Sequence, residues 1–507
     1  FSALGFRTLA ARVKSLLDLP PEIASTTATV VDERALKQAQ VLLWLLESER
    51  TNASLTDISE YGKAFFGTTD FAATMERLAA EVEKIPALSK VYEEIEKPLL
   101  EVVAHVSKTG LTLDTNYLAS LAVSMHKELA TLETTIYALA GTTFNINSPK
   151  QLGDVLFDNL GLKPKNQKKT AGGQRSTKES ELEKLHDEHP IIAALLRYRE
   201  LQKLVSTYVD TLPGLVAADG KIRSTFLQTG TVTGRMASKD PNLQNITIRT
   251  DKSRAIRRAF VAEPGYTMVG IDYSQIELRI AAILSGDKSL IDIFRRGEDV
   301  HTGVAVRVFK VDAAEVTSEM RRKAKVINFG ILYGMGVNAL RQNLGEETSR
   351  EEAQSFLNAY FHTFTRLAEY LEETKQYARD HGYTETLFGR RRHFPGIRSS
   401  APFIRAQAER MAINAPIQGT AADVMRIAMN RVYKYIKQSN QLDSVRMVLQ
   451  VHDELVFEIK TDILPSVVPT LVEIMENILT PDAAAGVPLR VDVAKGPNWA
   501  DLEDQPR

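Results

Sequence analysis

The stretch Val269-Gly270-Ile271-Asp272-Tyr273-Ser274-Gln275-Ile276-Glu277-Leu278-Arg279 carries the strongest signal in this sequence. Its apolar residues Val269 to Ile271 read as a buried strand that ends in the carboxylate of Asp272. The pattern returns in Leu449-Gln450-Val451-His452-Asp453-Glu454-Leu455-Val456-Phe457-Glu458. Here Met447 to Val451 leads into His452-Asp453 before Leu455 to Ile459 resumes the apolar run, which reads as a hairpin with Asp453 near its tip. Two aspartates at neighbouring strand ends can hold a pair of divalent cations, an arrangement that activates one oxygen and stabilises another in phosphoryl transfer. A strand-end aspartate standing alone is more often a turn former. The flanking residues decide between the two readings.

Those flanks resemble the family A DNA polymerases. Asp272-Tyr273-Ser274-Gln275-Ile276-Glu277-Leu278-Arg279 is similar to the family's first palm motif. Arg321-Arg322-Lys323-Ala324-Lys325-Val326-Ile327-Asn328-Phe329-Gly330-Ile331-Leu332-Tyr333-Gly334 is similar to its fingers motif, and Val451-His452-Asp453-Glu454 to its second palm motif. The three follow the family's order, and the resemblance runs from about residue 95 to the C-terminus, more faintly before it. It implies an α+β protein of right-hand polymerase architecture, with an antiparallel-sheet palm, helical fingers and a helical thumb behind a short exonuclease-like remnant. The expected division is 1–95 for a truncated, degenerate 3′–5′ exonuclease-like region, 96–215 for the thumb, 216–300 for the first part of the palm, 301–430 for the fingers and 431–507 for the second part of the palm.

The bulk numbers are compatible with that reading. At 507 residues the chain is too long for one core. Its 44% apolar and 25% charged content is ordinary for a globular protein. With no cysteine it has no disulfide and no thiolate metal site, which suits a reducing cytoplasm. No apolar run is long enough to span a membrane, and no signal peptide is evident. Starting at Phe1 rather than Met, the chain is expected to be a fragment or a processed product. Net charge is −1, so any affinity for nucleic acid must come from local clusters. Lys163, Lys165, Lys168, Lys169, Arg175 and Lys178 form one, and Arg390, Arg391, Arg392, Arg398 and Arg405 another. Each reads as a solvated loop or as a phosphate contact, and the neighbouring motifs favour the second.

Residues 1–95 look helical, with an apolar stripe from Leu36 to Leu46. An exonuclease needs an Asp-x-Glu pair for its metals, and the first hundred residues contain none; Phe66-x-x-x-Asp70 resembles a worn Tyr-x-x-x-Asp motif. Proofreading is therefore not expected. Further helices are expected to about Leu212, one capped by Ser148 with Pro149 at its first position. Tyr198-Arg199-Glu200-Leu201 and Ser206-Thr207-Tyr208-Val209-Asp210 resemble the family's thumb, which grips the primer–template duplex. Strands are expected at Ile222–Gln228 and Tyr266–Ile271, and a long helical block over about 286–440.

Within the fingers motif, Arg321, Lys325, Phe329 and Tyr333 are spaced four apart and form one slowly drifting helical stripe. Two cations followed by two rings fit a nucleoside triphosphate; the alternative is a basic solvent face beside buried aromatics. The resemblance makes Arg321 and Lys325 phosphate contacts, Phe329 and Tyr333 the walls of the nucleotide and templating-base pocket, and His301 a further phosphate contact. It makes Asp272 and Asp453 the metal ligands, joined by the backbone carbonyl of Tyr273, with Lys325 completing the catalytic set. Glu454, on a strand, would point away from Asp453, which suggests a supporting role. Gln275 and Glu277 would also face the nucleotide, Glu277 blocking the space a ribose 2′-hydroxyl needs. Arg235, Arg249, Arg410, Asn414, Gln418, Gln450 and His452 resemble the family's DNA contacts. Amide and guanidinium donors in the minor groove meet an acceptor on every correct pair, so they test shape rather than sequence. Pro416 and Gly419 argue against one unbroken helix through Gln418.

The implied activity is DNA-templated addition of dNTPs to a primer 3′-hydroxyl with two Mg²⁺ ions, Mn²⁺ able to substitute, in DNA replication or repair. Expected partners are primer–template DNA and dNTPs, with no membrane; the protein should act as a cytoplasmic monomer. The rivals are a single-subunit RNA polymerase or reverse transcriptase, which Glu277 disfavours, and a catalytically dead DNA-binding scaffold, which intact Asp272, Asp453 and Lys325 disfavour.

Overall fold

Met268, Val269 and Ile271 are fully buried in strand β1 (Tyr266–Tyr273), so this strand is apolar on both faces and belongs in the middle of a sheet. The computed structural model describes residues 31–163, 173, 175–248, 250–345 and 347–506. In it β1 lies at the centre of five antiparallel strands. On one side it pairs with β3 (Glu454–Lys460), which pairs with β2 (Val445–Val451); on the other it pairs with β4 (Val491–Gly496), then β5 (Glu503–Asp504). A two-residue loop, His452-Asp453, joins β2 to β3, since Val451 and Glu454 are direct partners. Gly270 is required by a close approach: a Cβ there would collide with Glu454 Oε1 and meet Leu502 Cδ1 at 3.2 Å.

α1 (Thr115–Ala140) is capped by Asp114 and ends at Gly141 with φ 69°; α2 (Ile191–Leu204) packs along it. α3 (Ile276–Ser285) leaves β1 through Gln275, whose φ of 54° turns the chain sharply. α4 (Val300–Phe309) is capped by Asp299 and packs on α5 (Ser318–Leu332), capped by Thr317. The cap expected at Ser148 is present, with Pro149 at the first helical position. Residues 38–507 form one compact unit; the preceding unit, Phe1–Lys37, is described only from residue 31. Among the described residues no helix is long and apolar enough to cross a membrane.

Three expectations need correction. α6 (Pro402–Gln438) runs unbroken through Pro416 and Gly419. Proline costs a helix about 3 kcal/mol, but Ala415, Pro416, Ile417, Thr420 and Ala421 are all buried, and packing outweighs the lost hydrogen bond. Gly419 admits a close neighbour, with Thr386 Cγ2 2.7 Å from where a Cβ would stand. The strand expected over Ile222–Gln228 is two shorter ones, Lys221–Ile222 and Thr225–Leu227, in different sheets. Arg223 and Ser224 break the run, their side chains donating to the carbonyls of Lys108 and Pro241. The helical block contains a small hairpin, Tyr383–Glu385 with Arg391–His393, opened by Gly382 at φ 82°.

A buried charge network ties distant segments together. Glu96, Arg390, Asp423 and Arg426 are all at most 5% exposed. Arg390 pairs with both Glu96 and Asp423, Arg426 pairs with Glu96, and both guanidiniums lie within about 5 Å of the Trp44 ring. Arg426 also donates to the carbonyls of Gly234 (2.8 Å) and Gln228 (2.6 Å), anchoring the loop that carries Arg235.

Candidate active site

The register of the central sheet brings the two signature aspartates together. Asp272 is the direct partner of Glu454 on one side and of Asp492 on the other. The hairpin loop beside it is held by a hydrogen bond from Tyr273 N to Asp453 O (3.0 Å). Asp453 is half-buried, and His452 next to it takes φ 51°, a left-handed conformation that side chains adopt at some cost. Asp272 is exposed to the cleft yet closely surrounded by protein. Burial, with Glu454, Asp453 and Asp492 adding repulsion, pushes its carboxyl up to about 7. Burial likewise raises Asp453 and Glu454, opposed by Arg235 and Arg257 respectively. Concentrated negative charge of this kind favours a bound cation.

Above the aspartates, Glu277 in the first turn of α3 is buried and doubly held. Arg235 Nη2 donates to its Oε1 (2.7 Å) and Tyr333 Oη to its Oε2 (3.0 Å). Burial raises its pKa although Arg235 opposes the shift. Gln275 sits at the left-handed turn before α3, with Oε1 buried and unpartnered among the described residues. Gln450 is buried beneath the hairpin: Gln244 Nε2 donates to its carbonyl and side-chain oxygens (3.0 Å each), and Gln450 Nε2 donates to His452 O (2.6 Å). Arg235, Gln418, Gln450, His452 and Asp453 all line one cavity of about 410 Å³.

Three members of the four-apart stripe, Arg321, Lys325 and Phe329, lie on α5, and the fourth, Tyr333, is its cap residue. Arg321 and Lys325 are exposed and Phe329 is half-buried on α5, with Tyr333, 43% exposed, just past the helix end. Lys325 makes no ion pair among the described residues. Arg321 is engaged: its Nε and Nη2 donate to Asp299 at 3.0 and 2.8 Å. His301 is buried rather than on the surface, its Nδ1 3.1 Å from Asn328 Nδ2 and its ring 5.8 Å from that of Phe329. Burial pushes His301 down to about 4, with Arg321 and Lys325 acting in the same direction. Because α6 is continuous, Arg410, Asn414 and Gln418 share one face, and Arg410 lines a cavity of about 570 Å³ together with Tyr333 and Gly334. Arg249 lies outside the described residues, as do Lys165, Lys168 and Lys169.

Some of the site escaped the sequence. Nothing in spacing links Arg235 or Tyr333 to Glu277, Asp299 to Arg321, or Gln244 to Gln450. Asp492 carried a faint signal, an acid between the β-branched residues Val491 and Val493.

The profile of DNA polymerase family A matches residues 115–501. The chain belongs to DNA polymerase family A. It is 45% identical over 438 residues to the thermostable DNA polymerase I of Thermus aquaticus, covering 85% of this chain and 51% of that protein. To DNA polymerase I of Deinococcus radiodurans it is 44% identical over 420 residues, covering 82% and 43%. The chain thus spans about half the length of the curated relatives it matches. Among solved structures, it superposes on the POL domain of Pol1 from M. smegmatis, in complex with DNA primer-template and dNTP, with a TM-score of 0.83 and 36% identity over 92% of this chain and 82% of that one. Its mixed helix-and-sheet architecture is the family A polymerase fold.

Proposed function

We propose that this family A chain is a DNA-templated DNA polymerase that adds dNTPs to a primer 3′-hydroxyl. The observation that carries the reading is the convergence of Asp272 and Asp453 at the sheet end, directly beneath the Glu277–Tyr333 link to the fingers. Hard carboxylate oxygens fit Mg²⁺, which commonly takes one or two carboxylates and completes its shell with water and substrate phosphates. Asp272, Asp453 and the carbonyl of Tyr273 would hold two such ions, with Mn²⁺ able to substitute. When bound, the pair lowers the pKa of the attacking hydroxyl and neutralises charge on the triphosphate.

The chain's own residues do the rest. Lys325, without an ion pair among the described residues, presents its ammonium one helical turn before Phe329, so a phosphate tail at Lys325 sets the sugar beside the ring. Arg321 joins it once released from Asp299. Glu277 walls the sugar pocket, Tyr333 shapes the pocket around it, and His301 is a further phosphate contact. Arg235, Arg410, Asn414, Gln418, Gln450 and His452 line the path of the duplex and template, with Arg249 a further contact.

A single-subunit RNA polymerase is the second reading; the buried carboxylate of Glu277, fixed from two sides, opposes a ribose hydroxyl and favours deoxynucleotides. The thumb (96–215), the two-part palm (216–300 and 431–507) and the fingers (301–430) belong to the same proposal, the fingers' end falling within α6. So do absence of proofreading, an exonuclease-like origin for residues 1–95, and work as a cytoplasmic monomer in replication or repair.

The test is extension of a primed template with Mg²⁺ and dNTPs. Asp453→Asn and Asp272→Asn should abolish incorporation and leave primer–template affinity largely intact, because affinity is spread over many phosphate contacts. Substantial turnover by the Asp453→Asn protein would sink the assignment. A parallel reaction without dNTPs on a mismatched primer should leave the primer full length.

A further inference from the structure

The helix of the fingers stripe also carries a polar residue that the proposed chemistry does not use. Asn328 stands on α5 between Ile327 and Phe329 and is fully buried. Burying an amide is costly unless its polar atoms find partners, and here only one end does. Oδ1 has no hydrogen-bond partner among the described residues, whereas Nδ2 lies 3.1 Å from Nδ1 of His301 on α4. At 100° per residue, Asn328 falls within about 20° of Arg321 and about 60° of Lys325 around the helix. The amide therefore belongs to the cationic face of α5.

The chemistry of this contact places a proton. An amide nitrogen only donates, so His301 Nδ1 accepts with its lone pair. A neutral imidazole has one proton, which is then on Nε2. A second proton, at Nδ1, would set N–H against N–H and break the bond. Burial also disfavours a charged ring; Asp299, at the start of the same helix, favours it, and Arg321 and Lys325 on α5 oppose it. His301 is thus a neutral donor beside two cations. Such an N–H still donates to a phosphate oxygen, yet it adds no third positive charge to hold the pyrophosphate that leaves.

We propose that Asn328 is a positioning residue: it keeps His301 neutral with its proton on Nε2, so that the ring meets the triphosphate as a hydrogen-bond donor and not as a third cation. This rests on His301 being a phosphate contact. Nitrogen NMR of the full chain carrying isotope-labelled histidine reads the tautomer directly, the His301 signals being identified by their loss in His301→Gln. Between about pH 6 and 8 the wild-type ring should stay neutral, with Nδ1 bare and Nε2 protonated. Adding a primed template ending in a dideoxynucleotide, Mg²⁺ and the matching dNTP should move the Nε2 signal and leave Nδ1 bare.

Asn328→Asp replaces the donor by an acceptor and so draws a proton onto Nδ1. In that protein His301 should become a cation within the same window, and pyrophosphate should inhibit it more strongly, relative to the wild type, as pH falls. Asn328→Leu, of similar volume, should raise KM for dNTP by a factor of about two to twelve, the range for one hydrogen bond, with little change in kcat. Thermal melts verify the folding of both. A proton on Nδ1 of the wild-type ring in this window would overturn the proposal whether or not the variants fold. So would an Asn328→Asp protein whose His301 titrates as in the wild type. An Nε2 signal indifferent to dNTP would instead strike the phosphate contact beneath the proposal, and failure of the wild type to extend a primed template would strike the polymerase reading itself.

Discussion

Glu277, the proposed wall of the sugar pocket, is a carboxylate fixed in place. It is buried at a cost, and Arg235 and Tyr333 hold it in one orientation from two sides. Glu277→Ala should raise ribonucleotide incorporation much more than it harms deoxynucleotide use, because a pocket without a polar or steric clash discriminates poorly against an added hydroxyl. Glu277→Gln, which keeps the shape, should retain most of the selectivity. Competition between rNTP and dNTP in single-nucleotide incorporation decides it, and unchanged sugar selectivity in the alanine variant would leave Glu277 a purely structural role. Phe329 tests the other side of the proposed pocket. Its bare ring cannot replace the contact of a missing 3′-hydroxyl, so the wild type should reject dideoxynucleotides and Phe329→Tyr should remove most of that rejection. A polar contact of this kind is worth roughly 1–3 kcal/mol, or about a tenfold to hundredfold change in incorporation. Equal dTTP/ddTTP selectivity in both proteins would place Phe329 away from the sugar. The stripe carrying Phe329 was legible because spacing of four on a helix is a geometric statement; the Arg235–Glu277–Tyr333 link was not, because its members are brought together only by packing.

At the scale of elements, the central sheet and its hairpin were readable from composition. A strand covered on both faces is a continuous apolar run, and carboxylates interrupting such runs stand out. α6 was misread at Pro416 and Gly419, since local propensity opposed a helix that tertiary packing imposes. Gly419 gives this a measurable form. With Thr386 Cγ2 only 2.7 Å from a would-be Cβ, and Thr386 Oγ1 donating to Asp423 (2.7 Å), there is little room to yield. Gly419→Ala should destabilise the protein by about 1–3 kcal/mol despite alanine's higher helix propensity, the usual range for overpacking. Urea denaturation measures this; a stabilised variant would mean that the contact relaxes freely.

For the whole molecule, the buried network around Glu96 joins segments more than 300 positions apart in the chain, as in Glu96 with Arg426. Although burial works against its charge, Arg390 and Arg426 hold Glu96 below the ordinary carboxylate range. A carboxylate with a depressed folded-state pKa contributes stability above its unfolded value, and that contribution is lost as pH falls through the folded value. Removing the charge leaves Arg390 with Asp423 and deprives the buried Arg426 of the carboxylate it pairs with. Glu96→Gln should therefore cost on the order of 3–5 kcal/mol at neutral pH. Its stability should also fall less steeply on acidification than that of the wild type. Parallel pH slopes in thermal melts of the two proteins would show that Glu96 is not the group responsible.

The sequence by itself determined the chemistry on offer: two strand-end aspartates, a cationic and aromatic helical stripe, and an acid five residues after the first aspartate. Those signals are local, arising from strand alternation, helical periodicity and adjacency along the chain. Only the tertiary structure decided which groups face one another. Asp492 lies beside Asp272, Asp299 restrains Arg321, and α6 stays continuous through a proline. Each depends on contacts between segments distant in sequence, where burial and close packing outweigh the preference of any single residue.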